Sequence, residues 1–511
     1  MGVPTVRAQA LRPGVRLWER HRWATLTGAF AVLSLASRAS SLRAPIGEDT
    51  AGYLYMGQTI LHGGMPYVDA AEPKGPMTDL LFAAIYAVSQ HSAVALRLTL
   101  FVAAVLAALL LARYVARLAG MRAGVLAGAL FATLGSTIAL DGYDPNTEQY
   151  GVTVMVAAWL CASVETTAAA LAAGALVAAA TLMNPGFLSI VVIVAYELWR
   201  SRADTGWRAV VNALLLMLAG AVALAAPVLL WLDLGGALHD MKVQVWDYAR
   251  TAAAAHLTSS PPPTSPTDLR FLFNVPAGSL WVLGAVGAMV GIWSGGGLRR
   301  VGGSALVWIV VAWLRAKSNH GFEWTHHYYV GVPGIVVGLA VGVDALLRES
   351  KRHGRVAILV MTLTLPLWIY VIGPQWREWA LPSYARAGGQ RFSIAYPMAS
   401  VIRRTTPRGS PIFVAGSEAE VYWVSRRRAP TRWFVNYGLF ARPDYARERA
   451  RDLRRTPPAA IAVVAPETLT DVSDDVQRLV TDLHYRVVFQ NPGGTVWVRP
   501  DLLPKQGRGR G

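Results

Sequence analysis

Apolar runs separated by short arginine-bearing gaps fill most of the first 373 residues. They cover about 23–42, 94–113, 122–140, 148–164, 168–183, 186–199, 209–232, 276–293, 301–314, 328–347 and 356–373. A helix that crosses a bilayer needs roughly 20 apolar residues, so 186–199 and 301–314 are short for a crossing. The gaps fix the parity. Arg113, Arg117 and Arg122 mark one basic loop, and Arg200, Arg202 and Arg208 a second. Arg299 and Arg300 mark a third, and Arg348, Lys351, Arg352 and Arg355 a fourth. Loops rich in Lys and Arg stay on the cytoplasmic side, so an even number of crossings separates each pair. Residues 123–199 then hold four crossings, with Asn184-Pro185-Gly186 as the turn of a short hairpin, and 301–314 pairs with 328–347. With the N-terminus inside, the total is odd and near eleven.

The pattern changes after 373. Pro411–Ala415 and Ala460–Val464 read as buried strands, and Asp444–Arg455 and Asp474–Leu483 as helices. Tyr485–Phe489 and Thr495–Val498 flank Asn491-Pro492-Gly493-Gly494, a hairpin signal. Ser259–Pro266 (SSPPPTSP) reads as a polyproline-type linker. The division expected is a transmembrane part, 1–373, with a polar outer loop at 43–93, and a soluble α/β part with its tail, 374–511.

Composition agrees. Mean hydropathy is +0.36 and 15% of the 511 residues are charged, against about 25% in soluble domains. A net charge of +17 would suggest nucleic acid in a soluble chain; here it follows the basic loops, and no nucleic-acid partner is expected. The single cysteine, Cys161, excludes an internal disulfide and a cysteine-cluster metal site. Arg7, Arg12, Arg16, Arg20 and Arg22 precede the first apolar run, which reads as a retained first helix because many spans follow.

Under this topology the candidate chemistry collects on one side. Glu48 and Asp49 follow the first span and open an amphipathic stretch, Thr50–Leu61. Tyr53, Tyr67, Asp69, Glu72 and Lys74 follow within the same loop. Acidic residues there also suit a helix N-cap and the positive end of its dipole, but ionisable groups at membrane depth are costly without a role. Lys74, between Pro73 and Pro76, is a point charge suited to phosphate, and snorkelling explains it equally well. Asp141, Asp144, Asn146 and Glu148 form a second acidic loop, where Glu148 would stand in the first turn of a helix and support the site. His320, Glu323, His326 and His327 precede Tyr328 and Tyr329. They lack an HExxH pattern and fit anion or headgroup contacts better than zinc.

The order Glu48-Asp49-x-x-x-Tyr53, then Gly64-x-Pro66-Tyr67-x-Asp69, then Lys74-Gly75-Pro76 resembles the first outer loop of the GT-C membrane glycosyltransferases. The branch it is most similar to contains protein O-mannosyltransferases and the lipid A aminoarabinose transferase. Asp144–Glu148 resembles that family's second acidic loop. His327–Pro333 (HYYVGVP) resembles its approach to a late span, and Val414–Arg432 the soluble domain of bacterial members. The resemblance implies an α-helical GT-C membrane enzyme of about eleven helices with a C-terminal soluble α/β domain. It also implies transfer of a sugar from a polyprenyl-phosphate donor, with inversion, to an envelope glycan, lipid or protein acceptor outside the cytoplasm. The site would be in the plasma (inner) membrane, with membrane lipid around it and no cofactor or metal required. Asp49 takes the base role with Glu48 beside it. Members also carry Asp-Glu and Asp-x-Asp there, so either carboxylate fills that role. Lys74, with His327 and Tyr328, would contact the donor phosphate. Tyr53, Tyr67, Asp69, Asp144, Asn146 and Glu148 would support the site or receive the acceptor. The tail would cap the outer mouth without catalytic residues of its own. Its Arg426-Arg427-Arg428 run, with Arg432, suits anionic headgroups or a solvated face equally. A lipid-linked sugar flippase or polysaccharide export protein shares many spans and basic loops, but would place charges in broken helices at mid-bilayer and show related halves.

Overall fold

The computed structural model describes residues 13–136, 140, 142–248, 276–318, 325–350, 389–436, 443–464, 474–491 and 493–503. The expected span at 356–373 and the proline-rich stretch at 259–266 lie outside them, as do Asp141, His320 and Glu323.

The chain is mostly helical. Long helices occupy Pro13–Arg38, Ala93–Ala119, Met121–Leu134, Thr147–Ala162, Thr167–Met183, Ile190–Arg202 and Trp207–Leu234. Pro276–Trp293, Gly296–Ser318 and Val332–Ser350 follow. Among the described residues, Ala93–Ala119, Trp207–Leu234, Gly296–Ala316 and His326–Glu349 are long and apolar enough to cross a membrane. Parity asked for four crossings between 123 and 199, and four helices stand there. Local chemistry sets their ends. Ser92 accepts from the Ala95 N–H at 3.2 Å, and Thr166 from that of Ala169 at 3.2 Å, which satisfies N–H groups that a helix start leaves open.

With no hydrophobic drive between helices in lipid, close packing uses small residues. A Cβ on Gly174 would fall 1.7 Å from the Met217 carbonyl oxygen, and one on Gly220 2.0 Å from that of Leu171. The helices Thr167–Met183 and Trp207–Leu234 touch backbone to backbone at these two points.

The loop 43–93 is itself largely helical. Glu48–Leu61 forms a helix as the amphipathic pattern suggests, and a second helix, Pro76–Ser89, was not expected. Pro76 supplies a first-turn residue with no N–H to satisfy.

A four-stranded sheet closes the chain: β1 (Ile412–Ala415), β2 (Ala460–Val464), β3 (Arg486–Asn491) and β4 (Gly494–Val498), ordered β1-β2-β4-β3. β1 and β2 run parallel, and β4 is antiparallel to β2 and β3. Side chains alternate across a strand, so the sheet has two cores. Phe413, Ala415, Ile461, Val463 and Trp497 meet Leu453, Val476 and Leu479 from the helices Pro443–Arg455 and Asp474–Asp482. Ile412, Val414, Ala460 and Val496 turn the other way, towards Met398 and Ile402 of the helix Gly389–Thr405. That second core runs without a break into the helical bundle through Tyr422, Phe434 and Tyr55.

Candidate active site

The helix Glu48–Leu61 starts at Gly47 with both acids in its first turn. Asp49 and Tyr53 stand four residues apart and so share a face. Asn146 makes two bonds that aim the site. Its Oδ1 accepts from the Thr147 N–H at 2.6 Å, capping the helix Thr147–Ala162, and its Nδ2 donates to Asp49 Oδ2 at 3.2 Å. Thr50 Oγ1 donates towards Asp144 Oδ2 and the Pro145 carbonyl, both at 3.3 Å. The two acidic loops are therefore joined side chain to side chain.

Arg97, 2% exposed, ties them through the backbone. Its guanidinium donates to the carbonyls of Tyr143 at 2.8 Å, Pro45 at 2.7 Å and Ala44 at 3.2 Å, with Asp144 Oδ1 at 4.0 Å. The rigid planar fork of arginine suits such a three-way contact.

Lys74 enters on the next segment. Its Nζ lies 5.9 Å from the centroid of the Tyr53 ring, and its carbonyl accepts from the Tyr67 hydroxyl at 2.7 Å. Tyr67 adopts a left-handed φ of 68°, which is strained for a bulky residue. The turn is secured on several sides: Asp69 Oδ2 accepts from the Met65 N–H at 2.7 Å, and Gly75 N–H donates to Met183 O at 2.9 Å. Asp69 is exposed, and that local bond is what the structure gives it.

Glu72, one of the ionisable groups expected in this loop, belongs to the same group. Its carboxylate lies across the Asp49 helix, with Oε2 3.2 Å from where a Cβ on Gly52 would stand. It is 4% exposed. Burial first, and then the negative charge of Asp49, push its carboxyl well above the usual range, against the pull of Lys74.

Glu148 is fully buried in the first turn of its helix. Asn184 Nδ2 reaches its Oε1 at 3.3 Å, and Arg315 Nη2 stands 3.7 Å from the same oxygen. Asn184 also caps the turn Pro185–Ser189 by accepting from Gly186 N–H at 2.9 Å. Arg315 in turn donates to the His327 carbonyl at 3.0 Å and lies over the Phe187 ring at 5.0 Å. Lys74, His326, His327 and Arg315 are the positive or ionisable groups whose field reaches Glu148, so the first outer loop and the stretch before the late helix converge on it.

The expected residues thus divide. Asp49, Tyr53, Lys74, Asp144, Asn146, Glu148 and His327 come together, with Tyr67 and Asp69 shaping the loop. Tyr328 packs instead among Trp281 and Trp313, at ring distances of 6.2 and 5.9 Å. Glu72, Arg97, Asn184 and Arg315 join them. Glu72 was already among the loop's ionisable groups and Asn184 in a predicted turn, while Arg315, a lone charge at the end of an apolar run, was a visible sign left unread. Glu148 with His326 and His327 offers three ligand atoms within 4.8 Å of one another. Arg315 and Lys74 already face that carboxylate, so a divalent cation there would meet two positive charges, whereas an anion would be drawn in.

In the tail's basic run Arg426 is exposed, while Arg427, Arg428 and Arg432 turn inward. Arg427 is buried and donates to the Thr406 carbonyl at 2.8 Å. Arg428 donates to Thr59 Oγ1 at 2.9 Å and lies 5.6 Å from the Tyr55 ring centroid. Arg432 donates to the Tyr67 carbonyl at 2.9 Å and pairs with Asp240 and Glu448. Tyr55 and Phe434 stack at 4.1 Å. The run clasps the helix and loop that carry Asp49 and Lys74.

No protein-family model matches the chain, and no curated protein matches it. Solved structures do. ArnT from Cupriavidus metallidurans, bound to undecaprenyl phosphate, superposes with a TM-score of 0.60 at 14% identity, over 95% of this chain and 100% of that one. The Archaeoglobus fulgidus oligosaccharyltransferase tethered to an acceptor peptide gives 0.53 at 14% identity, over 96% and 76%. AglB of the same organism, in complex with an inhibitory peptide and a dolichol-phosphate, gives 0.50 at 13% identity, over 96% and 75%. The fold is that of these membrane proteins, the GT-C fold.

Proposed function

We propose that this chain is a membrane glycosyltransferase that moves a sugar from a polyprenyl-phosphate donor to an acceptor hydroxyl or amine on the outer face of the plasma membrane, inverting the anomeric centre. The observation that carries this reading is the pairing of an aimed carboxylate with a cation. Asp49 is held by Asn146, one helical turn from Tyr53, and the Lys74 ammonium lies over the ring of that same tyrosine. The fold shared with structures that hold undecaprenyl phosphate or dolichol-phosphate supports the donor class.

In the reaction, an acceptor heteroatom forms a bond to the anomeric carbon while the bond from that carbon to the phosphate oxygen breaks. The acceptor proton passes to Asp49. The carboxylate also faces the positive charge that develops on the sugar. The leaving phosphate gains negative charge, and Lys74, with Arg315 behind it, opposes that charge more strongly than it did the donor's. Asp49 is given the base role, and Asn146 fixes its orientation. Burial and the neighbouring Asp49 favour the neutral form of Glu72, which lessens a second negative charge beside the base. No metal is needed for this sequence. The membrane part would carry donor and base, and the C-terminal sheet region would help receive the acceptor.

Asp49→Asn should lower turnover about 10²–10⁴-fold, the usual contribution of a positioned base, with donor binding kept. Glu48→Gln should retain most activity. A Glu48→Gln enzyme that is dead beside an active Asp49→Asn enzyme would reverse the assignment, and full activity in both would remove the loop from the chemistry.

A further inference from the structure

A second polar site stands at the opposite end of the same helices. Along Pro13–Arg38, Arg22 lies sixteen residues from Arg38, about 24 Å at the helical rise. Along Ala93–Ala119, Arg113 lies equally far from Arg97, also about 24 Å. Leu160 is at the end of the helix that begins beside Glu148. The site end and this end are thus separated by most of the roughly 30 Å apolar thickness of a bilayer.

Arg22, Trp23, Arg113, Arg117, Leu160 and Val164 line a cavity of about 540 Å³ here. The Arg113 guanidinium lies 5.1 Å and that of Arg22 5.9 Å from the Trp23 ring centroid. Arg22 Nε is buried without a hydrogen-bond partner. Among the described residues no carboxylate pairs with Arg22, Arg113 or Arg117. Among the described residues three cations therefore converge without a paired carboxylate, and their repulsion would be relieved by an anion from outside. The other basic loops at this end differ. Arg299 and Arg300 are exposed, while Arg122 and Arg348 are paired to the buried Asp344.

The walls decide what kind of anion. Leu160, Val164, Ala116 and Met121 complete the cavity, and tryptophan favours the headgroup level of a membrane. Basic pockets between helices at that level suit phosphate headgroups with acyl chains alongside. We propose that this cavity binds the phosphate headgroup of an anionic membrane lipid in the leaflet opposite Asp49. The ligand lies along Leu160 and Val164, and its phosphate meets Arg22, Arg113 and Arg117.

The test uses the full chain in detergent mixed with phosphatidylglycerol or phosphatidylcholine, with bound lipid counted by native mass spectrometry. The wild-type protein should retain one phosphatidylglycerol in preference to phosphatidylcholine. Arg113→Gln combined with Arg117→Gln should weaken that retention about thirtyfold, from the typical contribution of two arginines near a charged headgroup. Arg299→Gln combined with Arg300→Gln removes the same charge from the same end and should leave it unchanged. Arg113→Lys with Arg117→Lys should restore part of it, which guards against a folding artefact. Equal retention by all the variants would overturn the proposal in favour of diffuse attraction. Displacement of the lipid by millimolar inorganic phosphate would overturn it in favour of a soluble anion.

Discussion

Arginine serves opposite purposes at the two ends of this bundle. Near Asp49 it is buried and bound to backbone. Arg97 holds three carbonyls, and Arg38 reaches the Gly135 carbonyl at 2.8 Å. At the far end Arg113, Arg117, Arg299 and Arg300 are exposed, and Arg202 is the exception there, buried and donating to the Val164 carbonyl at 2.8 Å. The first kind replaces missing water around irregular backbone, where each buried acceptor must find a donor. The second kind keeps its hydration and faces headgroups. A charge count treats them alike, and only burial separates them.

The sharpest way to break this contrast is a charge-conserving exchange. Arg97→Lys keeps the charge and loses the fork, leaving carbonyls of Ala44, Pro45 or Tyr143 unpaired at about 1–3 kcal/mol each. It should lower the melting temperature strongly and slow turnover with it. Arg299→Lys should change stability by no more than about 0.5 kcal/mol. Similar melting shifts in both proteins would erase the distinction.

A smaller effect is expected within the site. If Lys74 meets the donor phosphate as proposed, Lys74→Gln removes a charge-assisted contact worth typically about 1.5–3 kcal/mol, or about 10–150-fold in kcat/KM. An unchanged kcat/KM would detach Lys74 from the donor.

Smaller again is a pH effect from Glu72. Its folded carboxyl is held well above the ordinary range, so the folded state keeps the proton that the unfolded chain releases. Stability is then highest below the unfolded carboxylate range and falls as pH rises from there towards the raised folded value. Glu72→Gln abolishes that loss. Its melting temperature should match the wild type at pH 4 and exceed it increasingly towards neutrality. A constant offset at every pH would mean that Glu72 is not the group titrating. Least of all, exhaustive chelation should leave turnover as it was, since Arg315 and Lys74 oppose a cation beside Glu148. A chelator-sensitive enzyme restored by zinc would show that His326, His327 and Glu148 hold one.

The apolar runs were legible because their period and length are strong signals, and four helices stand between 123 and 199, of which Met121–Leu134 and Thr167–Met183 are apolar but shorter than a crossing. Pro76–Ser89 escaped because it is too short for a span and adjoins a polar turn. Gly389–Thr405 escaped because it is polar and interrupted by Pro397. At the site, Asp49, Lys74, Asn146 and Glu148 were legible as ionisable or amide groups in polar loops beside apolar spans. Glu72 was legible as an ionisable group but its raised carboxyl was not, because that comes from burial against the helix Glu48–Leu61, and Asn184 looked like nothing more than a turn.

The stack of Phe434 on Tyr55, with Ala429 N–H donating to the Tyr55 hydroxyl at 2.9 Å, has a mechanical consequence. The sheet region and the Asp49 helix share one cooperative unit of opening, so neither loosens alone. Proteolytic removal of the chain beyond 388 would not uncover a working membrane core. It would free the helix Glu48–Leu61 to fray and quicken hydrogen exchange at Tyr53 and Met56, which in the intact protein should keep step with exchange at Val414.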